Sequence, residues 1–268
     1  EDHSDAPGAP VYLPTWFIRI HPIGWVAVIY GLTALVLTIL GSDYLFGNLT
    51  WQWLVVFVGI ASSFSFTLLD RLRHGIEWIS DLMGTIVWKL AWLVFFLQLF
   101  NVITRYSNDY VEQDILFGEV TSLAWMTFGM IILLGAGYGT KVGVNPRIDF
   151  WWAEFSHQKK AWIDFVLHSF LLLPFIVMGM RLLTNFAASS LGRKFSGEWP
   201  SGFRVWESWE QSGDASQLPV GPIQAFIFVG FALWGIQVLA EVIKTGFIIL
   251  GREDLGQIAE AEAPLRVE

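Results

Sequence analysis

Residues 82–104 form a long apolar run that reads LMGTIVWKLAWLVFFLQLFNVIT. Lys89 is the only charged side chain within it. A helix needs about 20 predominantly apolar residues to cross the hydrocarbon core of a bilayer. The stretch therefore predicts a transmembrane helix, and it places the chain among membrane proteins.

Five further apolar blocks flank this stretch, and Pro and Gly residues stand mostly at their ends. Backbone groups in lipid must bond within their own segment, so each block is predicted to be a helix. The sequence thus predicts an all-α, polytopic inner-membrane protein with about six transmembrane helices. The other five predicted spans cover residues 23–41, 50–69, 120–140, 161–180 and 222–250.

The composition of the 268 residues supports a membrane class and excludes several functions. Hydrophobic residues make up 54% and charged residues 15%, whereas soluble domains carry about 25% charged residues. The absence of Cys excludes disulfides and thiolate metal sites. A net charge of −8 leaves no basic surface for nucleic acid.

The positions of Lys and Arg predict the orientation in the membrane. If the N-terminus is cytoplasmic, most of these residues lie on the inner side, including Arg71, Arg73, Lys141, Lys159 and Lys160. Both termini are then cytoplasmic. The segment RYSNDYVEQDILFGEV, residues 105–120, faces the outside.

This outer segment has two interpretations. Its charges could form an ion or carboxylate site. Alternatively, Glu119 favours a helix N-terminus and Arg105 extends its charged group to the membrane surface, which we consider the better interpretation. Lys89 also lies near a membrane surface, with Asp81 and Glu77 as expected partners.

Motifs for enzymatic chemistry are not found in the sequence. His168, inside the fifth block, could ligate a haem iron or a chlorin magnesium, but a core histidine donating to a carbonyl is the better interpretation. The segment GAGYG, residues 135–139, follows a membrane span rather than a strand, so it does not fit a dinucleotide loop. Gly135 and Gly139 instead predict a close helix contact. We expect no catalytic residue, no metal and no cofactor.

The order of several motifs resembles a known family. Arg105-Tyr106 is followed by Glu119, by Trp125, by GAGYGTKVGVNPRIDF with Asp149, and by AWID at residues 161–164. Glu207-Ser208 and the segment LPVGPIQAFIFVGFALWGIQVLAEVIK come later. Together they resemble the small membrane subunit of tripartite ATP-independent periplasmic (TRAP) transporters, across residues 82–250. Val120 departs from the family, where a second Glu is usual.

The resemblance implies a role in a larger assembly. It implies a non-catalytic scaffold that braces a large membrane permease subunit, while a periplasmic binding protein delivers an organic acid or related solute and an ion gradient drives uptake. The expected structural and partner contacts are Arg105, Tyr106, Glu119, Trp125, Gly135, Gly139, Asp149 and Glu207.

The resemblance also divides the chain into segments. An N-terminal tail with an interfacial part covers residues 1–22, and two additional helices cover residues 23–69. The four-helix core covers residues 82–250, and a mobile tail covers residues 251–268. The additional helices leave a second hypothesis open: an accessory subunit of another inner-membrane complex, for example a photosynthetic or electron-transfer complex.

Overall fold

The computed structural model describes residues 20–40, 50–107, 110, 118–144, 152, 154–200, 207–213, 217–256 and 258. These residues form helices and turns, with one isolated β-bridge between Gln211 and Pro219. The helices are α1 (Ile23–Ile39), α2 (Thr50–Ser62), α3 (Phe66–Ser107), α4 (Gly118–Val142), α5 (His157–Ser190) and α6 (Gly221–Ile249). The predicted all-α membrane class is confirmed.

Four of these helices are long and apolar enough to cross a membrane, namely α3, α4 from Glu119, α5 and α6. The other two are shorter, since α1 has 17 residues and α2 has 13. The predicted second span, residues 50–69, is divided, because α2 ends at Ser62 and α3 begins at Phe66.

Serine side chains explain the division. The hydroxyl of Ser62 donates to the carbonyl of Gly59 at 3.0 Å, and that of Ser63 donates to Ile60 at 2.6 Å. Such local bonds compete with the helical ladder. The carbonyl of Ser63 then accepts from the backbone N–H of His21 at 3.0 Å.

The predicted third span lies inside a much longer helix. Helix α3 has 42 residues and begins well before residue 82. The intervening segment carries several charged side chains that broke the apolar pattern on which the prediction rested. No proline interrupts it, so helix formation continues through it.

The chain divides into two compact units. The first contains α1, α2, the start of α3 up to Ile76, the start of α5 up to Leu173 and the end of α6 from Val238. The second contains α3 from Glu77, α4, α5 from Pro174 and α6 up to Gln237. Three long helices therefore contribute to both units.

The end of α6 forms the core of the first unit. Its residues 240–249 are all buried. Val242, Ile248 and Ile249 pack with Val26 of α1 and Phe165 of α5. Leu69 of α3 packs with Ile243 and Phe247. Beyond α6, residues 251–256 form turns, whereas most of the predicted mobile tail lies outside the described residues.

Helix α1 is also joined to α5 at a local irregularity. Residues His168–Leu172 form a π-helical turn, in which the N–H of Leu173 donates to the carbonyl of His168. The next residue, Pro174, has no N–H, so the Ser169 carbonyl lacks its donor within the helix. The hydroxyl of Tyr30 donates to this carbonyl instead.

Candidate functional site

Three helices of the second unit meet at residues 137–141 of α4. A Cβ atom on Gly137 would lie 3.4 Å from the backbone oxygen of Leu233 in α6, so the two backbones approach closely. The indole N–H of Trp234, also in α6, donates to the hydroxyl of Thr140 at 2.9 Å. Gly137 and Thr140 therefore contact α6.

The residues that follow these two in sequence, Tyr138 and Lys141, contact α3. A Cβ atom on Gly84 would lie 2.6–2.8 Å from ring atoms of Tyr138, so the ring covers that glycine. The ammonium group of Lys141 lies 2.5 Å from the Asp81 carboxylate and 3.4 Å from the carbonyl of Glu77. This ion pair and this ring contact hold α4 against α3.

Helical periodicity explains why residues 137 and 140 contact α6 while residues 138 and 141 contact α3. Successive residues of an α-helix differ by about 100° around the axis. Residues 137 and 140 thus share one face, residues 138 and 141 share another, and the two faces are about 100° apart. Gly139 lies about 200° from Gly137, outside both faces.

The third side of this arrangement joins α3 directly to α6. The hydroxyl of Ser80 donates to the amide oxygen of Gln237 at 2.6 Å, and both side chains are buried. We name the whole set the three-helix hub. Its members are Ser80, Asp81, Gly84, Gly137, Tyr138, Thr140, Lys141, Trp234 and Gln237.

The polar groups of the hub join its three helices to one another. The bond between Ser80 and Gln237 is buried, and satisfied buried polar contacts rigidify helix packing. The bond between Trp234 and Thr140 is partly buried, and the Asp81–Lys141 ion pair is more exposed. Among the described residues, no group of three His, Asp or Glu side chains could hold a metal ion.

Helix α3 exposes an apolar surface. None of its most apolar 18-residue stretch is buried. Trp88, Trp92 and Phe96 follow one another at intervals of four residues and therefore share one face. Trp88 and Trp92 meet edge to face at 5.7 Å, and Trp92 stacks on Phe96 at 6.0 Å. Phe95 extends this group. We name these four residues the aromatic face.

The predicted outer charges lie at two adjacent helix ends. Arg105 is in the last turn of α3, and Glu119 is in the first turn of α4. Each has the sign that the helix dipole favours at its position. A hydrogen bond of 3.2 Å from Asn101 to Thr121 joins the two ends. Arg105 and Glu119 are exposed, as is Tyr106.

The remaining predicted contact residues do not come together in one place. Trp125 is 71% exposed on α4, and Glu207 is exposed in the segment before α6. A Cβ atom on Gly135 would meet Val87 at 3.8 Å, an ordinary contact. Asp149 lies outside the described residues. Within the hub the tight glycine contact is at Gly84 instead, where a Cβ atom would lie 2.6–2.8 Å from the Tyr138 ring.

Two further expectations concern single residues. The carboxylate of Asp81, expected to face Lys89, contacts Lys141, because residues 81 and 89 are about 12 Å apart along the helix. His168 begins the π-helical turn of α5 and is partly buried.

Sequence reasoning missed a buried polar group in the first unit. The side chains of Glu241 and Lys244 are each 2% exposed and lie 2.7 Å apart. Opposite charges three residues apart in an apolar run were the available signal. Beside them, the His21 ring binds the Ile243 carbonyl at 3.0 Å, and a Cβ on Gly246 would lie 2.4 Å from the ring.

The comparison with known families decides the assignment. Residues 94–245 match the family described as tripartite ATP-independent periplasmic transporters, DctQ component. The match covers more than half of the 268 residues. The chain belongs to this family.

The resemblance found from the sequence is thereby confirmed. The DctQ match includes the C-terminal part of α3, all of α4 and α5, and most of α6. Helices α1 and α2 lie outside it. The comparisons with curated proteins and with solved structures give no match.

Proposed function

We propose that this chain is the non-catalytic scaffold subunit of a TRAP-type transporter in a bacterial inner membrane. Its role is to brace a large permease subunit, which carries the solute. The observation that carries the proposal is the DctQ match over residues 94–245. The three-helix hub supports it, because its polar groups bind each other and hold three spans in a fixed arrangement.

The aromatic face of α3 is the surface on which the large subunit packs. Helix association in a membrane depends on van der Waals contact, because lipid tails are as apolar as the side chains. Trp88, Trp92, Phe95 and Phe96 are held by ring contacts with one another. They offer a surface that loses little side-chain entropy on binding.

The absence of Cys allows a direct test of this surface. The Phe96→Cys variant is labelled with benzophenone maleimide in the complete complex. Irradiation then crosslinks the label to whatever lies next to position 96. Val177→Cys on α5, similarly exposed at 56%, is the control. We expect the large subunit to be crosslinked from position 96 and not from position 177. Crosslinks from position 96 to lipid alone would contradict the assignment.

The orientation and the remaining partners follow from the charges. The Lys and Arg bias predicts cytoplasmic termini, so the ends of α3 and α4 at Arg105 and Glu119 face the periplasm. There they contact the periplasmic binding protein. The solute is an organic acid or a related small molecule, and an ion gradient drives its uptake through the large subunit.

The proposed contact with the binding protein predicts that substitutions at Arg105 and Glu119 change docking rather than solute affinity. Arg105→Ala and Glu119→Ala should weaken docking of the binding protein by about fivefold, since an exposed charge contributes about 1 kcal/mol. The apparent solute affinity of uptake by the complete complex should change less than docking does. Copurification and uptake assays measure both quantities, with Lys89→Ala as a control on the opposite part of α3. A changed solute affinity with intact assembly would contradict the scaffold role.

A further inference from the structure

The segment after α5 contains a turn that is well ordered by hydrogen bonds. The N–H of Lys194 donates to the carbonyl of Glu198 at 3.0 Å, and the N–H of Gly197 donates to the carbonyl of Lys194 at 2.9 Å. The Nε of Arg193 donates to the carbonyl of Gly197 at 3.1 Å. Gly197 has a φ of 85°, which a residue with a side chain rarely adopts.

The turn is also fixed to the end of α5. The N–H of Gly192 donates to Ser189 at 2.8 Å, and that of Arg193 donates to Ala188 at 3.0 Å. The carbonyl of Ser190 accepts from the N–H of Glu210 at 3.0 Å, which joins the turn to the segment before α6. Its position relative to the helix is therefore defined.

Phe195 stands at the tip of this turn. It is 112% exposed, more than any other large apolar side chain among the described residues. Lys194 precedes it, and Trp199 in the same turn is 53% exposed. A hydrogen-bonded turn that presents an aromatic ring beside Arg193 and Lys194, with one acid at Glu198, matches the chemistry of a lipid headgroup layer, where rings and long cationic side chains accumulate.

The distance from the membrane core agrees with this chemistry. Phe186, 46% exposed, is the last large exposed apolar residue of α5. Ser190, at the end of α5, lies one helical turn, about 5–6 Å, beyond it. The headgroup layer is about 5–8 Å thick on each side. If the hydrocarbon core extends to Phe186, six residues beyond the predicted span that ends at residue 180, the turn leaves the helix at headgroup level.

We propose that residues 191–200 form a membrane-surface anchor, in which Phe195 inserts into the lipid headgroup layer next to the end of α5. Lys194 and Arg193 lie within reach of lipid phosphates, and Trp199 lies at the same level. The anchor fixes the depth of α5 in the bilayer, independently of the partner subunits.

A fluorescent label tests the anchor in the full-length chain. Ser196 is exposed beside Phe195. The Ser196→Cys variant is labelled with bimane and placed in vesicles that contain phosphatidylcholine with a nitroxide on its headgroup, which quenches bimane fluorescence on contact. We expect strong quenching at position 196 and at least threefold weaker quenching when Phe195→Ser is added. Gly213→Cys, exposed and with open space around its Cα, is the water-facing control.

Three results would overturn the proposal. The first is a label at position 196 that is quenched no more than the label at position 213. The second is quenching that Phe195→Ser leaves unchanged, in a variant whose thermal unfolding matches the parent. The third is a label that responds to added periplasmic binding protein and not to nitroxide lipid, which would assign the turn to a protein partner.

Discussion

His21 links the start of α1 to α6, with one ring nitrogen bonded to each. The N–H of Ile23 donates to Nδ1 at 3.2 Å, so Nε2 carries the hydrogen and donates to the Ile243 carbonyl. Phe66 and Phe247 surround the ring edge-on. Burial lowers the pKa of His21 from 6.5 to about 4, although the bond to Ile243 opposes the shift. The folded chain therefore holds a neutral imidazole here.

This neutral histidine predicts a dependence of stability on pH. Below about pH 6.5 the unfolded chain binds a proton that the folded chain accepts only near pH 4, so the unfolding free energy falls with falling pH. The His21 contribution to this loss is about 3 kcal/mol across the window, and that contribution is constant above it. Chemical unfolding in detergent measures it against His21→Asn, which should lack this component. Parallel pH profiles for the two proteins would contradict the prediction.

Gly84 provides a second test at the scale of one residue. A Cβ atom there would lie 2.6–2.8 Å from the Tyr138 ring. Overpacking costs about 1–3 kcal/mol, more than the roughly 1 kcal/mol that alanine gains over glycine in a helix. Gly84→Ala should therefore lower the melting temperature. Gly135→Ala, with an ordinary 3.8 Å contact, should not. Equal melting temperatures for the two variants would argue against a tight hub.

At the scale of the element, the π-helical turn of α5 explains how α1 is held. Pro174 cannot donate to a carbonyl of the preceding turn, and the Ser169 carbonyl is bound by Tyr30. Phe170 stacks on the Tyr30 ring at 6.2 Å. A proline in α5 thus creates an acceptor that one side chain of α1 fills.

This explanation predicts coupling between two substitutions. Tyr30→Phe leaves a buried carbonyl without its donor and should cost about 1–3 kcal/mol. Pro174→Ala restores an N–H in α5, so Tyr30→Phe should cost about 1 kcal/mol less in that background. A double-mutant cycle of unfolding free energies measures the coupling. Strict additivity would show that the proline does not create the acceptor.

The parts of the fold that could be predicted from the sequence are those with a local signal, such as a long apolar run. The apolar run of residues 82–104 identified the centre of α3, but Asp70, Arg73 and Glu77 concealed its start at Phe66. The segment GAGYGTK was recognised, yet its contacts depend on where α3 and α6 lie. The bond from His21 to Ile243 joins residues 222 positions apart, so no local pattern could predict it.

At the scale of the whole molecule, helices α1 and α2 lie outside the DctQ match but are integrated with it. His21 and Tyr30 each bind a backbone carbonyl of a family-matched helix, in α6 and α5 respectively. The first unit therefore combines added and matched segments around the buried end of α6. If the chain is a scaffold as proposed, the added helices extend the packed core that holds α5 and α6.

Under the proposed function, this chain supports transport without carrying solute itself. The most direct measurement is uptake of a radiolabelled organic acid into sealed vesicles, with an acid and an ion gradient under which the complete complex accumulates it. Vesicles with the purified chain alone should take up no more than protein-free vesicles, whereas vesicles with all three components should accumulate the acid. Gradient-dependent accumulation by the chain alone would contradict the account.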